Sequence, residues 1–185
     1  MRIQHVLALA VLGPLFIISC DPPPTDPTPN GEPEPTPAAT ATEVKLTDTI
    51  ALQGANGRYV SCEIAKPGAM KAMLLCNRDR VGAWEKFTLV DLGDGSVALK
   101  AANGKFVSAD RTRGNVLVGD RDAVGGWESF QLVDAGNGRK ALKAASNGRF
   151  VTADLSLKGD SLGLLMADRP EAHEWESFSV VSVGR

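Results

Sequence analysis

Val97-Ala98-Leu99-Lys100-Ala101-Ala102-Asn103-Gly104-Lys105-Phe106-Val107-Ser108-Ala109 is two short apolar runs joined by Asn-Gly. The segment it opens closes with Gly126-Trp127-Glu128-Ser129-Phe130-Gln131-Leu132-Val133. Both halves recur. Ile50-Ala51-Leu52-Gln53-Gly54-Ala55-Asn56-Gly57-Arg58-Tyr59-Val60-Ser61-Cys62 precedes them, and Ala141-Leu142-Lys143-Ala144-Ala145-Ser146-Asn147-Gly148-Arg149-Phe150-Val151-Thr152-Ala153 follows. Arg78, Arg121 and Arg169 each stand six residues before Trp84, Trp127 and Trp175. Each Trp is followed by Glu, any residue and Phe: Glu85/Phe87, Glu128/Phe130 and Glu176/Phe178. The Trp-to-Trp steps are 43 and 48, a period of about 45 residues.

Each repeat holds four short runs rich in Val, Leu and Phe. In the middle copy they are Val97 to Ala101, Lys105 to Ala109, Asn115 to Gly119 and Ser129 to Asp134. Short, partly alternating runs bounded by turn residues predict strands. Asn-Gly between the first two predicts a type I′ hairpin turn. From residue 44 onward no 3.6-residue period is sustained; the weak exception, Lys66 to Leu75, reads as a loop running into a third strand. One four-stranded unit cannot bury its own apolar face, so three must close on a shared core. The expected fold is all-β: a twelve-stranded β-trefoil over 44–185, with repeats at about 46–91, 92–135 and 136–183. Three propeller blades are the alternative, disfavoured because propellers take four or more.

The chain before residue 44 has a different composition. Arg2, an apolar run from Val6 to Ile18, and Ser19-Cys20 predict a secretory signal over 1–19. The run is too short to cross a bilayer, which takes about 20 residues. Ile17-Ile18-Ser19-Cys20 resembles the lipobox of bacterial lipoproteins, which implies cleavage before Cys20 and acylation of that residue. Membrane attachment through that lipid, facing the periplasm or the exterior, is the expected address. The segment 20–43 reads as a tether, since eight of the 22 residues from Asp21 to Thr42 are Pro and none is large and apolar. From Val44 onward 19 basic residues face 17 acidic ones, too even a balance for a nucleic-acid face.

Asn-Gly-[Arg/Lys]-[Tyr/Phe]-Val-[Ser/Thr], a small residue, Asn/Asp-Arg and Trp-Glu-x-Phe together resemble the fascin-like (actin-cross-linking-like) β-trefoils over roughly 46 to 182. The ricin-type trefoil is the neighbouring family, but its Gln-x-Trp is missing. The bacterial members are often appended to secreted carbohydrate-active enzymes. The resemblance therefore implies glycan or polysaccharide as ligand. Fascin-like proteins also bundle actin, but a single trefoil outside a bacterial cytoplasm meets none, so actin is not an expected partner.

Beyond Phe16 the chain has nine aromatics: Tyr59, Phe106, Phe150, Trp84, Trp127, Trp175, Phe87, Phe130 and Phe178. All nine occupy repeat positions. A type required three times by a symmetric core reads as core, which leaves carbohydrate to loop hydrogen bonds or to Trp edges. Arg78, Arg121 and Arg169 with Glu85, Glu128 and Glu176 read in two ways. They pin the loop before each fourth strand, or they line three equivalent shallow ligand sites. Cys62 and Cys76 lie on neighbouring strands opposite small residues in the other copies, Ala109 and Gly119, then Ala153 and Ala167. A disulfide is expected, closing a loop of about 15 residues; two buried free thiols are the alternative.

Catalytic signals are poor. His173, in Glu171-Ala172-His173-Glu174, reads as part of a solvated acidic loop. No His-Glu-x-x-His, Cys-x-x-Cys, phosphate loop or nucleophile elbow occurs. No enzyme, cofactor or metal is expected. The alternatives to a glycan-binding module are a protein-interaction or inhibitor module of the envelope, and the remnant of an enzyme that has lost its catalytic domain. A distinctive site is expected where the repeats differ: Glu63 to Met73, Asp110 to Gly114 and Leu155 to Gly163.

Overall fold

The structure is a computed structural model that describes residues 48–184. The expected signal, Cys20 and the tether lie outside the described residues. Among the described residues twelve strands follow one another with three single-turn 3-10 segments between them. Repeat 1 contributes β1 (Thr49–Gln53), β2 (Tyr59–Cys62), β3 (Leu74–Arg78) and β4 (Phe87–Asp91). Repeat 2 contributes β5 (Val97–Lys100), β6 (Phe106–Asp110), β7 (Val116–Arg121) and β8 (Phe130–Asp134). Repeat 3 contributes β9 (Lys140–Ala144), β10 (Phe150–Asp154), β11 (Leu164–Arg169) and β12 (Ser177–Ser182).

The first and fourth strand of every repeat join into a closed antiparallel ring: β1–β4, β4–β5, β5–β8, β8–β9, β9–β12 and β12–β1. Closure leaves no edge among these six strands. The second and third strands form three hairpins, β2–β3, β6–β7 and β10–β11, each with a bulge after its aromatic residue. The hairpins meet one another through Leu164 with Leu75, Met166 with Val116, and Met73 with Val118. This is the β-trefoil that the repeat predicts. Phe87, Phe130 and Phe178 are fully buried together with Ile50, Leu52, Leu89, Leu99 and Leu142. Burying one such side chain contributes about 1.5–3 kcal/mol.

A ring of backbone hydrogen bonds ties the hairpins together. Gly119 donates to the carbonyl of Ala72 at 2.8 Å, Ala167 to that of Asn115 at 2.9 Å, and Cys76 to that of Gly163 at 2.7 Å. The three acceptors occupy the same place before the third strand. All three have left-handed φ values, of 59°, 64° and 74°.

The Asn-Gly turns differ from expectation. Only the glycines, Gly57, Gly104 and Gly148, have positive φ, so the turn is not type I′, which needs it at both positions. Instead each Asn works through its side chain. Oδ1 of Asn56, Asn103 and Asn147 accepts from the backbone N–H two residues on. Each Nδ2 donates across to the third strand, at the carbonyls of Cys76, Gly119 and Ala167.

The expected Cys62–Cys76 disulfide is corrected: both thiols are free and buried. Cys62 pairs in register with Leu74, and Cys76 with Val60. The two cysteines are therefore diagonal neighbours, about 7–8 Å apart, beyond the reach of a disulfide. Their sulfurs also have separate partners. Cys62 Sγ donates to the carbonyl of Ala72 at 3.5 Å, whereas Cys76 Sγ donates to the carbonyl of Arg58 at 3.1 Å. Burial pushes the Cys62 thiol up to about 12 and the Cys76 thiol to about 11. The small counterparts mark a close approach, but to glycines. A Cβ on Gly119 would lie 2.8 Å from the sulfur of Cys62.

Candidate functional site

Glu85, Glu128 and Glu176 end the loop before each fourth strand and are buried. Oε2 of each accepts the N–H three residues back, from Gly82 at 2.7 Å, Gly125 at 2.8 Å and His173 at 2.9 Å. Oε1 faces the arginine: Nε of Arg78, Arg121 and Arg169 lies at 3.6, 3.8 and 3.9 Å. The structure thus brings all six residues together as three pairs. Each glutamate binds loop backbone on one side and a guanidinium on the other.

The sequence marks Glu63 and Asp110 only as the starts of divergent segments, not as a second carboxylate repeated with Asp154. Glu63, Asp110 and Asp154 follow the second strand's small residue and are buried. Arg78 Nη2 donates to Glu63 Oε1 at 2.7 Å, and Arg121 Nη2 to Asp110 Oδ2 at 3.0 Å. Their signal is an acid directly after Cys62, Ala109 and Ala153 in all three copies. Burial pushes the Asp110 carboxyl up. Hydrogen bonds from Thr112, with the guanidiniums of Arg121 and Arg113, outweigh it and hold the carboxyl below the usual range. Asp154 is also held low, first by the Ser156 hydroxyl.

The tryptophans are a correction. Phe87, Phe130 and Phe178 are core, but Trp84 and Trp127 are only half-buried, and Trp175 is 37% exposed. Their backbones are fixed, because the carbonyls of Trp84, Trp127 and Trp175 accept from Cys62, Ala109 and Ala153 at 3.0, 2.8 and 3.1 Å. The rings remain on the surface. The Arg121 guanidinium carbon lies 5.7 Å from the Trp127 ring centroid, within cation–π range. Tyr59, Phe106 and Phe150 are half-buried as well, with Lys100 over Phe106 and Lys143 over Phe150.

Two of the Trp loops enclose shallow hollows. That of about 510 Å³ is lined by Arg121, Val124, Trp127 and Glu128. That of about 480 Å³ is lined by Arg169, Glu171, His173, Glu174 and Trp175. A larger hollow, about 700 Å³, lies between Gly68–Met73 and Lys105, Arg113 and Asp120. It borders the Glu63–Met73 segment, one of the three where the repeats diverge. His173 pairs with Glu171 at 3.6 Å, both largely exposed. Among the described residues no group of three or more His, Cys, Asp or Glu is arranged to hold a metal.

A repeated Arg–Glu loop lock with a surface tryptophan, on three hairpins over a six-stranded ring, defines the module. The FRG1-like domain model matches it over residues 19–113 and again over 83–179. The chain belongs to the FRG1-like family. The sequence resemblance to fascin-like trefoils and this FRG1-like match meet on the β-trefoil. No curated protein matches the sequence. Among solved structures, a designed threefold-symmetric protein, ThreeFoil, is similar at 21% identity and a TM-score of 0.63, covering 73% of this chain and 99% of that one. An exo-β-1,3-galactanase from Clostridium thermocellum is similar at 15% identity and a TM-score of 0.62, covering 76% of this chain and 31% of that one. A GlcNAcα1-4Gal-releasing endo-β-galactosidase from Clostridium perfringens gives 11% identity and a TM-score of 0.59, covering 74% and 33%. The FRG1-like chain thus spans about a third of each of those two enzymes, and at these identities the likeness is one of fold.

Proposed function

We propose that the trefoil is a non-catalytic glycan-binding module, carried by an exported protein that is anchored in a bacterial envelope membrane through acylated Cys20. The observation that carries the binding reading is the surface tryptophan beside a fixed Arg–Glu pair, present three times. An indole face packs against the C–H face of a sugar ring, and planar charged groups at its margin orient hydroxyls. Trefoils of the same fold within a galactanase and an endo-galactosidase are consistent with a ligand of this class. The Ile17-Ile18-Ser19-Cys20 motif supports the anchor. No catalytic role is assigned to any residue.

The test is a glycan array probed with the full chain and with its Trp127→Ala and Trp175→Ala variants. Each change deletes a ring but keeps the backbone carbonyl that Ala109 or Ala153 uses. Binding that weakens in a Trp variant supports the reading; silence on every glycan overturns it. For the anchor, Cys20→Ala is expected to move the protein out of the membrane fraction, and retention there overturns that part.

A further inference from the structure

The tryptophan hollows share a backbone but differ in charge and occupancy. Repeat 2 places a cation of its own over the indole. The Arg121 guanidinium lies over Trp127 and is anchored by Asp110 at 3.0 Å and by the Ser108 hydroxyl at 3.4 Å. In repeat 3 Nε of Arg169 sits 3.4 Å from Asp168 and 3.9 Å from Glu176, much as Nε of Arg121 sits 3.3 Å from Asp120 and 3.8 Å from Glu128. No cation lies over Trp175 among the described residues. Thr152 holds the position of Ser108, and its buried hydroxyl has no partner there. Trp175 is also the most exposed of the three tryptophans. The rim is rich in acids, with Glu171, Glu174 and Glu176 and the adjoining Asp168 against Arg169 and the imidazole of His173, which faces Glu171 at 3.6 Å. Such a rim repels an anionic ligand and favours a cationic one.

We infer that the third-repeat hollow binds a sugar bearing a free ammonium group, as in a de-N-acetylated hexosamine polymer. The ammonium takes over Trp175 the place that the protein's own Arg121 takes over Trp127, and it pairs with Glu171 and Glu174. Arg169 N–H groups donate to hydroxyls of the same ring. In repeat 2 Arg121 already holds the place over the indole that the ammonium would take. This inference rests on the glycan-binding reading and specifies its chemistry and its site.

The experiment is calorimetric titration of the full chain with glucosamine oligomers, their fully N-acetylated counterparts, galacturonate oligomers and lysine oligopeptides. The free-amine sugar is expected to bind at least about tenfold more tightly than the acetylated one, the scale of one desolvated cation–π contact. Trp175→Ala, and Glu171→Gln combined with Glu174→Gln, each weaken it by about tenfold. Added salt weakens binding. Glu171 is largely exposed, so its variant isolates charge from folding. Equal or tighter binding of acetylated or acidic oligomers overturns the inference, and so does unchanged binding of the free-amine sugar by the Trp175→Ala variant. Lysine oligopeptides that bind as tightly through Trp175 also overturn it, by assigning the hollow to peptide. Should neutral glycans bind on the array while glucosamine oligomers do not, this inference alone fails; silence on all glycans removes the wider reading too.

Discussion

The sulfur of Cys76 stands 2.6 Å from the point where a Cβ on Gly54 would lie. Repeat 3 has Ala144 and Ala167 at the corresponding places, so the same volume is divided differently between two positions. Gly54→Ala alone is therefore expected to cost about 1–3 kcal/mol through overpacking. Cys76→Ala alone leaves a small void. The double variant copies repeat 3 and recovers at least about 1 kcal/mol relative to the sum. Urea unfolding of the four proteins measures that coupling, and strict additivity would refute it.

Two glycines with similar φ separate strain from space. Gly104 has φ +76° and nothing within 4 Å of an added Cβ, whereas at Gly163, φ +74°, that atom would meet the carbonyl oxygen of Cys76 at 2.5 Å. Gly104→Ala is expected to cost about 1–2 kcal/mol for the left-handed backbone alone. Gly163→Ala adds a clash within the hairpin ring and costs about 3 kcal/mol or more. Thermal melts of the pair check the order.

The buried thiols make the fold sensitive to alkali. Both are raised from 9.0, to about 12 for Cys62 and about 11 for Cys76. The folded chain keeps them protonated after the unfolded chain has released its protons. Their stabilising effect is complete below pH 9 and is lost as pH rises toward the folded values, by up to about 1.4 kcal/mol per pH unit for each thiol. The Cys62→Ala/Cys76→Ala variant, weaker at pH 7, is expected to show a flatter decline between pH 9 and 11.

Asp110 acts at the other end of the scale. Its carboxyl is held low in the folded state, so the stability it contributes is present above the unfolded value and disappears as pH falls through the folded one. Asp110→Asn removes the charge that faces Arg121 and Arg113. It is expected to cost about 1–3 kcal/mol at neutral pH and to flatten the stability profile below pH 4. Denaturant midpoints between pH 2 and 7 test both parts.

Several of these residues were legible in the sequence only in part. The repeat carries the trefoil because three copies of four short runs leave few ways to close a core. Phe130 was readable as core, but Trp127, three residues earlier, was not readable as surface. Recurrence says that a position matters in every copy, not whether its side chain turns inward. Asn103 was readable as a turn residue, yet its bond to the carbonyl of Gly119 spans two strands and has no local signature. The thiols show the same limit. Small residues opposite Cys62 and Cys76 signalled crowding, while the crowding partners, Gly119 and Gly54, became visible only with the strand register. Asp110 had a signal in all three copies that an Arg–Glu pattern overshadowed.

Each hairpin in the ring of Ala72, Asn115 and Gly163 carbonyls gives a hydrogen bond to one neighbour and takes one from the other. A cycle has no first member, so the order in which the chain visits the hairpins carries no energy. New termini in the Leu92–Ser96 turn, with old ends rejoined beside the paired β1 and β12, leave all three links whole. Removal of one repeat breaks two links together and opens the barrel. The domain is therefore permutable but not divisible: its thirds resemble one another and none of them is a part that stands alone.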